Sequence, residues 1–70
     1  MNAGKLDIQV DGIVGTIYSR HYTHDSVFYI QDCGDLGFRV IKFFNDSTDY
    51  RIGGFYLSVS EAYSEAICYM

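Results

Sequence analysis

The chain has no proline, no low-complexity stretch and no segment of linker composition, so nothing marks a point of division. Residues 1–70 therefore read as one small domain, near the lower limit for a chain that folds without staples. Cysteine is scarce. Cys33 and Cys68 sit in neither a CxxC nor a zinc-type spacing, and one possible bridge is a thin framework for a secreted miniprotein. Bases are few as well: Lys5, Arg20, Arg39, Lys42 and Arg51 are scattered singly. No patch is present to neutralise phosphates, which disfavours direct nucleic-acid binding. No apolar run approaches the ~20 residues needed to span a bilayer. The opening MNAGKLDIQV lacks the basic and apolar regions of a signal peptide. Cys68 stands third from the end, not fourth as in a prenylation box. The expected location is the cytoplasm, with reduced thiols.

What is abundant is aromatic and acidic. The chain is 49% hydrophobic, with seven Tyr and five Phe. Such side chains bury roughly 150–250 Å² each, so a few can form a compact core. Twelve exceed what one small core needs, and Tyr is over-represented at the buried centres of interfaces. Nine acids against five bases leave a net charge of −4, which suits a partner with a basic surface.

Lys5–Val10 alternates, with Leu6, Ile8 and Val10 on one face and Lys5, Asp7 and Gln9 on the other. Asp11-Gly12 supplies the residues of a two-residue type I′ turn, whose central positions need φ > 0. In that register Val10 meets Ile13, so Ile13, Gly15 and Ile17 join Leu6, Ile8 and Val10 on the inner face, and Val14, Thr16 and Tyr18 fall on the outer one. Strands are predicted over about 5–10, 13–18, 26–31, 38–44 and 49–57. Phe38–Phe44 carries bulk on both faces, as a central strand or one that meets another molecule does. Gly53-Gly54 marks a bulge or a close approach. Ser58-Val59-Ser60-Glu61 fits a capping box, and Val59, Ala62, Tyr63, Ala66, Ile67 and Met70 then recur at helical spacing. The predicted fold is α+β: an antiparallel meander of four to five strands with one C-terminal helix, about 59–69, packed on the sheet.

Ser19–Asp25, read as the loop between the second and third strands, carries His21 and His24. Two histidines three apart chelate zinc where a turn brings them together, with Asp25 or Cys33 as third ligand. The spacing lacks a second ligand pair, and on a continuous strand it puts the rings on opposite faces. His21 and His24 are thus the metal candidates of a small metal- or ligand-binding module, set against a plain polar turn. Pairing Cys33 with either histidine gives a poor nucleophile, because Asp32 and Asp35 raise the thiol's pKa. A body this small also offers little volume for a pocket of ~300 Å³ or more. Asn45–Asp49 resembles the start of a calcium loop, but Tyr50 and Tyr56 occupy the positions that need Gly and Glu. No catalytic residues and no cofactor are assigned.

The acids fall at turns: Asp11, Asp32 and Asp35 at one end of the meander, Asp25, Asp46 and Asp49 at the other, with Glu61 and Glu65 four apart on the helix. They form either a solvating rim or a surface in which carboxylates stand in for phosphates. In size, acidity and architecture, and in Asp32, Asp35, Asp46, Asp49, Glu61, Glu65 and the exposed-looking Tyr18, Tyr22 and Tyr50, the chain resembles small phage- or prophage-encoded anti-defence proteins, anti-CRISPR inhibitors above all. That resemblance implies a non-enzymatic protein that binds a CRISPR effector and blocks nucleic-acid entry or complex assembly, with those nine residues as partner contacts. The alternative from another class is a structural homo-oligomer, such as a virion component, paired through an edge strand or through Phe38–Phe44.

Overall fold

The computed structural model describes residues 7–70; the expected contributions of Lys5 and Leu6 lie outside them. The first hairpin forms in the register that its turn dictates. Strands β1 (Asp7–Val10) and β2 (Ile13–Tyr22) pair Val10 with Ile13 and Asp7 with Thr16. Asp11 and Gly12 have φ of 56° and 80°, the doubly left-handed pair that matches the twist of the strands. Strands β3 (Ser26–Asp32), β4 (Phe38–Phe44) and β5 (Tyr50–Ile52) follow. A single 3₁₀ turn, Gly34–Leu36, joins β3 to β4, and helix α1 (Val59–Cys68) ends the chain. All pairings are antiparallel in the order β1-β2-β3-β4-β5, so the α+β meander is as expected.

Two boundaries differ from the sequence reading. Ser19–Tyr22 is not loop but the end of β2, paired with Val27–Ile30. The register shifts between Ile17 and Ser19, leaving Tyr18 as a bulged residue. The true connection is Thr23–Asp25, closed by Thr23 N donating to Ser26 O at 2.8 Å. The fifth strand stops at Ile52 rather than running to residue 57. Gly53 N still donates to Val40 O at 2.9 Å, and pairing resumes only at the Phe38–Tyr56 bridge. A Cβ on Gly53 would meet only the Glu65 carboxylate, the movable end of a flexible side chain, so the glycine marks where that carboxylate packs against the chain.

The sheet has two unlike faces. Ser26, Phe28 and Ile30 of β3 lie beside Val40 and Lys42 of β4, under the helix. There Phe28, Ile30, Val40, Ala62 and Ala66 form the core, flanked by Phe38, Tyr56, Val59 and Met70. The opposite face carries Ile8, Val10, Ile13 and Ile17, together as expected but turned away from the helix. A Cβ on Gly15 would lie 2.6 Å from Asp32 O and 2.8 Å from Gln31 Cγ, so this glycine lets the sheet curl tightly.

Inside the curl sits a polar knot. Arg39, only 3% exposed, donates from Nε to Gln31 Oε1 at 2.7 Å and from Nη2 to Val10 O, and its guanidinium lies over the Phe55 ring. Gln31 Nε2 in turn donates to Ile8 O at 3.2 Å. These bonds fasten β1 across one half of that face. The other half, at the end where β2 meets β3 and β4 meets β5, is left open.

Candidate partner-binding surfaces

The residues singled out by sequence divide among three places. Asp32, Asp35 and Tyr18 occupy the end that holds the first hairpin tip, with Asp7 and Asp11. Asp46, Asp49, Tyr22 and Tyr50 occupy the other end with Asp25. Glu61 and Glu65 stand on the helix.

At the hairpin end, Tyr18 follows Thr16 by alternation onto the helix-bearing side, where its ring meets Phe38 edge-on at 5.7 Å, and the bulge reverses the alternation for the residues after it. Tyr18 is nonetheless 59% exposed. Asp7 and Asp32 both pair with Thr16 on that same side, two residues before Tyr18. Each carboxylate is held in place: Asp7 Oδ1 accepts from Thr16 Oγ1 and Asp32 Oδ1 from Gly34 N, both at 3.0 Å. Asp35 and Leu36 lie exposed just beyond. Among the described residues the base nearest this cluster in the ladder is Arg39, which is buried on the other face. A tyrosine ring set among fixed carboxylates presents both features a Lys or Arg side chain recognises: negative charge and an aromatic face.

At the opposite end, Tyr22, Val27, Tyr29, Phe43 and Tyr50 share the sheet face that the helix does not cover. Phe43 meets Tyr29 at 5.8 Å and Tyr50 at 5.6 Å, and Arg20 lies over the Tyr22 ring at 5.6 Å. Asn45 N donates to Asp25 O at 2.9 Å, tying the two acidic turns together. The Thr23 hydroxyl bonds Asp25 Oδ1 at 2.9 Å and holds that carboxyl below its ordinary range, with burial opposing and His24 assisting.

On the helix the two glutamates have different surroundings. Glu61 accepts from the Ser58 hydroxyl at 3.0 Å, whereas Glu65 turns Oε1 in against Gly53, where that oxygen is buried without a partner. Both line a hollow of about 300 Å³ with Tyr56, Ser60, Ser64 and Tyr69. Burial there, then a hydrogen bond to Glu65, pushes the Tyr56 phenol above its ordinary pKa.

The histidines are not brought together. His21 sits on β2 facing the helix, stacked on Phe28 and edge-on to Tyr63, both at 5.0 Å, with Nε2 2.9 Å from Ser19 Oγ. His24 is exposed in the turn. Among the described residues no group of three or more His, Cys, Asp or Glu is arranged to hold a metal ion. The Cys33 thiol is pushed up chiefly by burial; Arg39 opposes this and Asp32 adds to it, so the aspartates expected from sequence to govern the thiol are secondary. Hollows of ~300 Å³ or more do occur despite the small body, one of about 540 Å³ lined by Phe44 and the exposed Ser47, Thr48, Asp49, Tyr50 and Arg51. None of these is a paired nucleophile and base.

Arg39 and Lys42 were missed as structural residues, since isolated bases in alternating strands read as solvated. Lys42 is 7% exposed and donates to Ala66 O at 3.1 Å, closing the end of the helix. Among the described residues no helix is long and apolar enough to cross a membrane. No known family, curated protein or solved structure matches the chain, so its sites rest on geometry alone.

Proposed function

We propose that this chain is a small acidic, non-enzymatic inhibitor that binds a nucleic-acid-handling protein complex, of the kind targeted by anti-CRISPR proteins, and blocks its nucleic-acid binding or assembly. The observation that carries the proposal is Tyr18, 59% exposed and close along the ladder to Asp7 and Asp32, with Asp35 in the turn that follows, at the most acidic end of the described residues. A Lys/Arg groove evolved for phosphates is complementary to such a cluster, and the ring supplies the anchor that charge alone lacks. Of the nine contact residues expected from sequence, Tyr18, Asp32 and Asp35 form this site. Glu61 and Glu65 stand on the same helix-bearing side, while Tyr22, Tyr50, Asp46 and Asp49 lie at the other end.

The test is competition between the protein and guide or target nucleic acid for purified CRISPR effector complexes. Asp32 holds Gly34 N, so it is neutralised as Asp32→Asn while the free Asp35 is reversed as Asp35→Lys. The double variant is expected to weaken inhibition roughly 10-fold or more, and Tyr18→Ala by a similar factor, since a hot-spot truncation costs about 1–2 kcal/mol or more. Melting temperatures no lower than that of the parent would report intact folding. Full inhibition by both variants, or no inhibition of any effector by the parent protein, would sink the proposal.

A further inference from the structure

The open aromatic face is not absorbed by that function, and its charge differs from the rest of the surface. At its end of the sheet stand Asp25, Asp46 and Asp49 with Arg20 and, on the reverse face, Arg51 and the buried Lys42, three acids against three bases, a balance of 0 among the described residues. At the hairpin end, among the described residues, Asp7, Asp11, Asp32 and Asp35 face one base, the buried Arg39, a balance of −3. A basic partner drawn by the acidity of the chain is therefore drawn to the hairpin end. Yet Tyr22 is 70% and Tyr50 47% exposed on a face that already holds ordered ring pairs.

We infer that this face docks a second copy of the chain, forming a twofold dimer through the uncovered half of the sheet. In a twofold contact each residue meets its counterpart's surroundings in both directions. Arg20 of one copy is then presented to the acidic turns of the other, and the reverse, while the Tyr and Phe rings close the centre. The molecule is 35 Å long, so pairing at this end keeps the strongly acidic ends of both copies apart. Edge pairing is the competing route, and at the β5 edge the fold blunts it. β5 spans three residues, breaks at Gly53 and leaves only the Phe38–Tyr56 bridge beyond. The inhibitor reading does not depend on this contact.

Sedimentation of the full chain from about 10 to about 500 μM covers the affinities expected of an interface of less than standard size. The expected result is a reversible monomer–dimer equilibrium that stops at the dimer. Tyr22→Asp/Tyr50→Asp should remain monomeric, and Arg20→Glu should weaken association about tenfold, the effect of losing one well-placed interfacial charge. Should the double variant fail to fold, the parent protein decides the matter by NMR. Concentration-dependent amide shifts at Tyr22, Tyr29, Phe43 and Tyr50, with none at Asp32 and Asp35, support the dimer. A strict monomer, a dimer indifferent to these variants, or growth beyond the dimer would overturn it.

Discussion

Arg39 is a buried cation whose hydrogen-bond and ring partners among the described residues include the neutral Gln31 amide, Val10 carbonyl and Phe55 ring. Burying a charge is expensive unless hydrogen bonds replace water, and here the guanidinium, Gln31 and the carbonyls of β1 supply them. The knot joins β4 to β1 across the intervening strands, so it fixes the curl. Removing one member strands the others. Arg39→Met should cost about 2–4 kcal/mol in urea denaturation, because Gln31 Oε1 is left buried without a donor. Arg39→Met/Gln31→Leu removes both partners and should recover at least about 1 kcal/mol of that loss. A double variant less stable than the single one would show that the knot contributes stability outright and is more than a specificity device.

Helix α1 is closed at each end by a different kind of contact. At the start, Glu61 N donates to Ser58 Oγ at 3.3 Å and the Ser58 hydroxyl donates to Glu61 Oε1, a variant of the capping box visible in the sequence. At the finish, Lys42 reaches from β4 to Ala66 O, one of the carbonyls that a helix leaves without an internal partner. The two ends should fail separately. Ser58→Ala should speed amide exchange at Glu61, and Lys42→Met should speed it at Tyr69 and Met70, each by roughly fivefold for a cap worth about 1 kcal/mol. Equal loosening of both ends by either variant would show that the helix opens as one unit.

The contrast between these ends shows what the sequence exposes. Asp11-Gly12 and Ser58–Glu61 act on neighbours within four residues, so turn register and helix start could be read directly. Lys42 and Ala66 are 24 residues apart and meet only through the fold. The same limit hid the continuation of β2. Ser19 and His21 look like loop residues, yet they alternate with Arg20 and Tyr22 and pair with β3 across a bulge. Alternation grouped Ile8, Val10, Ile13 and Ile17 on one face correctly, but periodicity cannot say which face a distant helix will choose. For the candidate site, the grouping of acids by chain end was legible. Separating Tyr18 from Tyr22 and Tyr50 required the bulge.

Over the whole molecule, the described bases rest on groups that leave the net charge of −4 without close pairing. Arg20 lies on Tyr22, Arg51 on Phe44, Arg39 on its amide and carbonyl partners, and Lys42 on Ala66 O. The acids at the hairpin end therefore repel one another with little compensation among the described residues. Salt screens such repulsion, the Debye length falling from tens of ångströms at low ionic strength to a few at about 1 M. A fold held by surface ion pairs loses stability as salt rises; this one should gain it. Raising sodium chloride from about 20 to about 500 mM should lift the melting temperature, by roughly 4–8 °C if screening is worth about 1 kcal/mol in a domain of this size. Asp35→Lys, which places a cation among those acids, should start from a higher melting temperature at low salt and respond less. A melting temperature that falls with salt in the parent protein would mean that attraction dominates its surface, and the acidic end would lose its standing as a region of stored repulsion available to a basic partner.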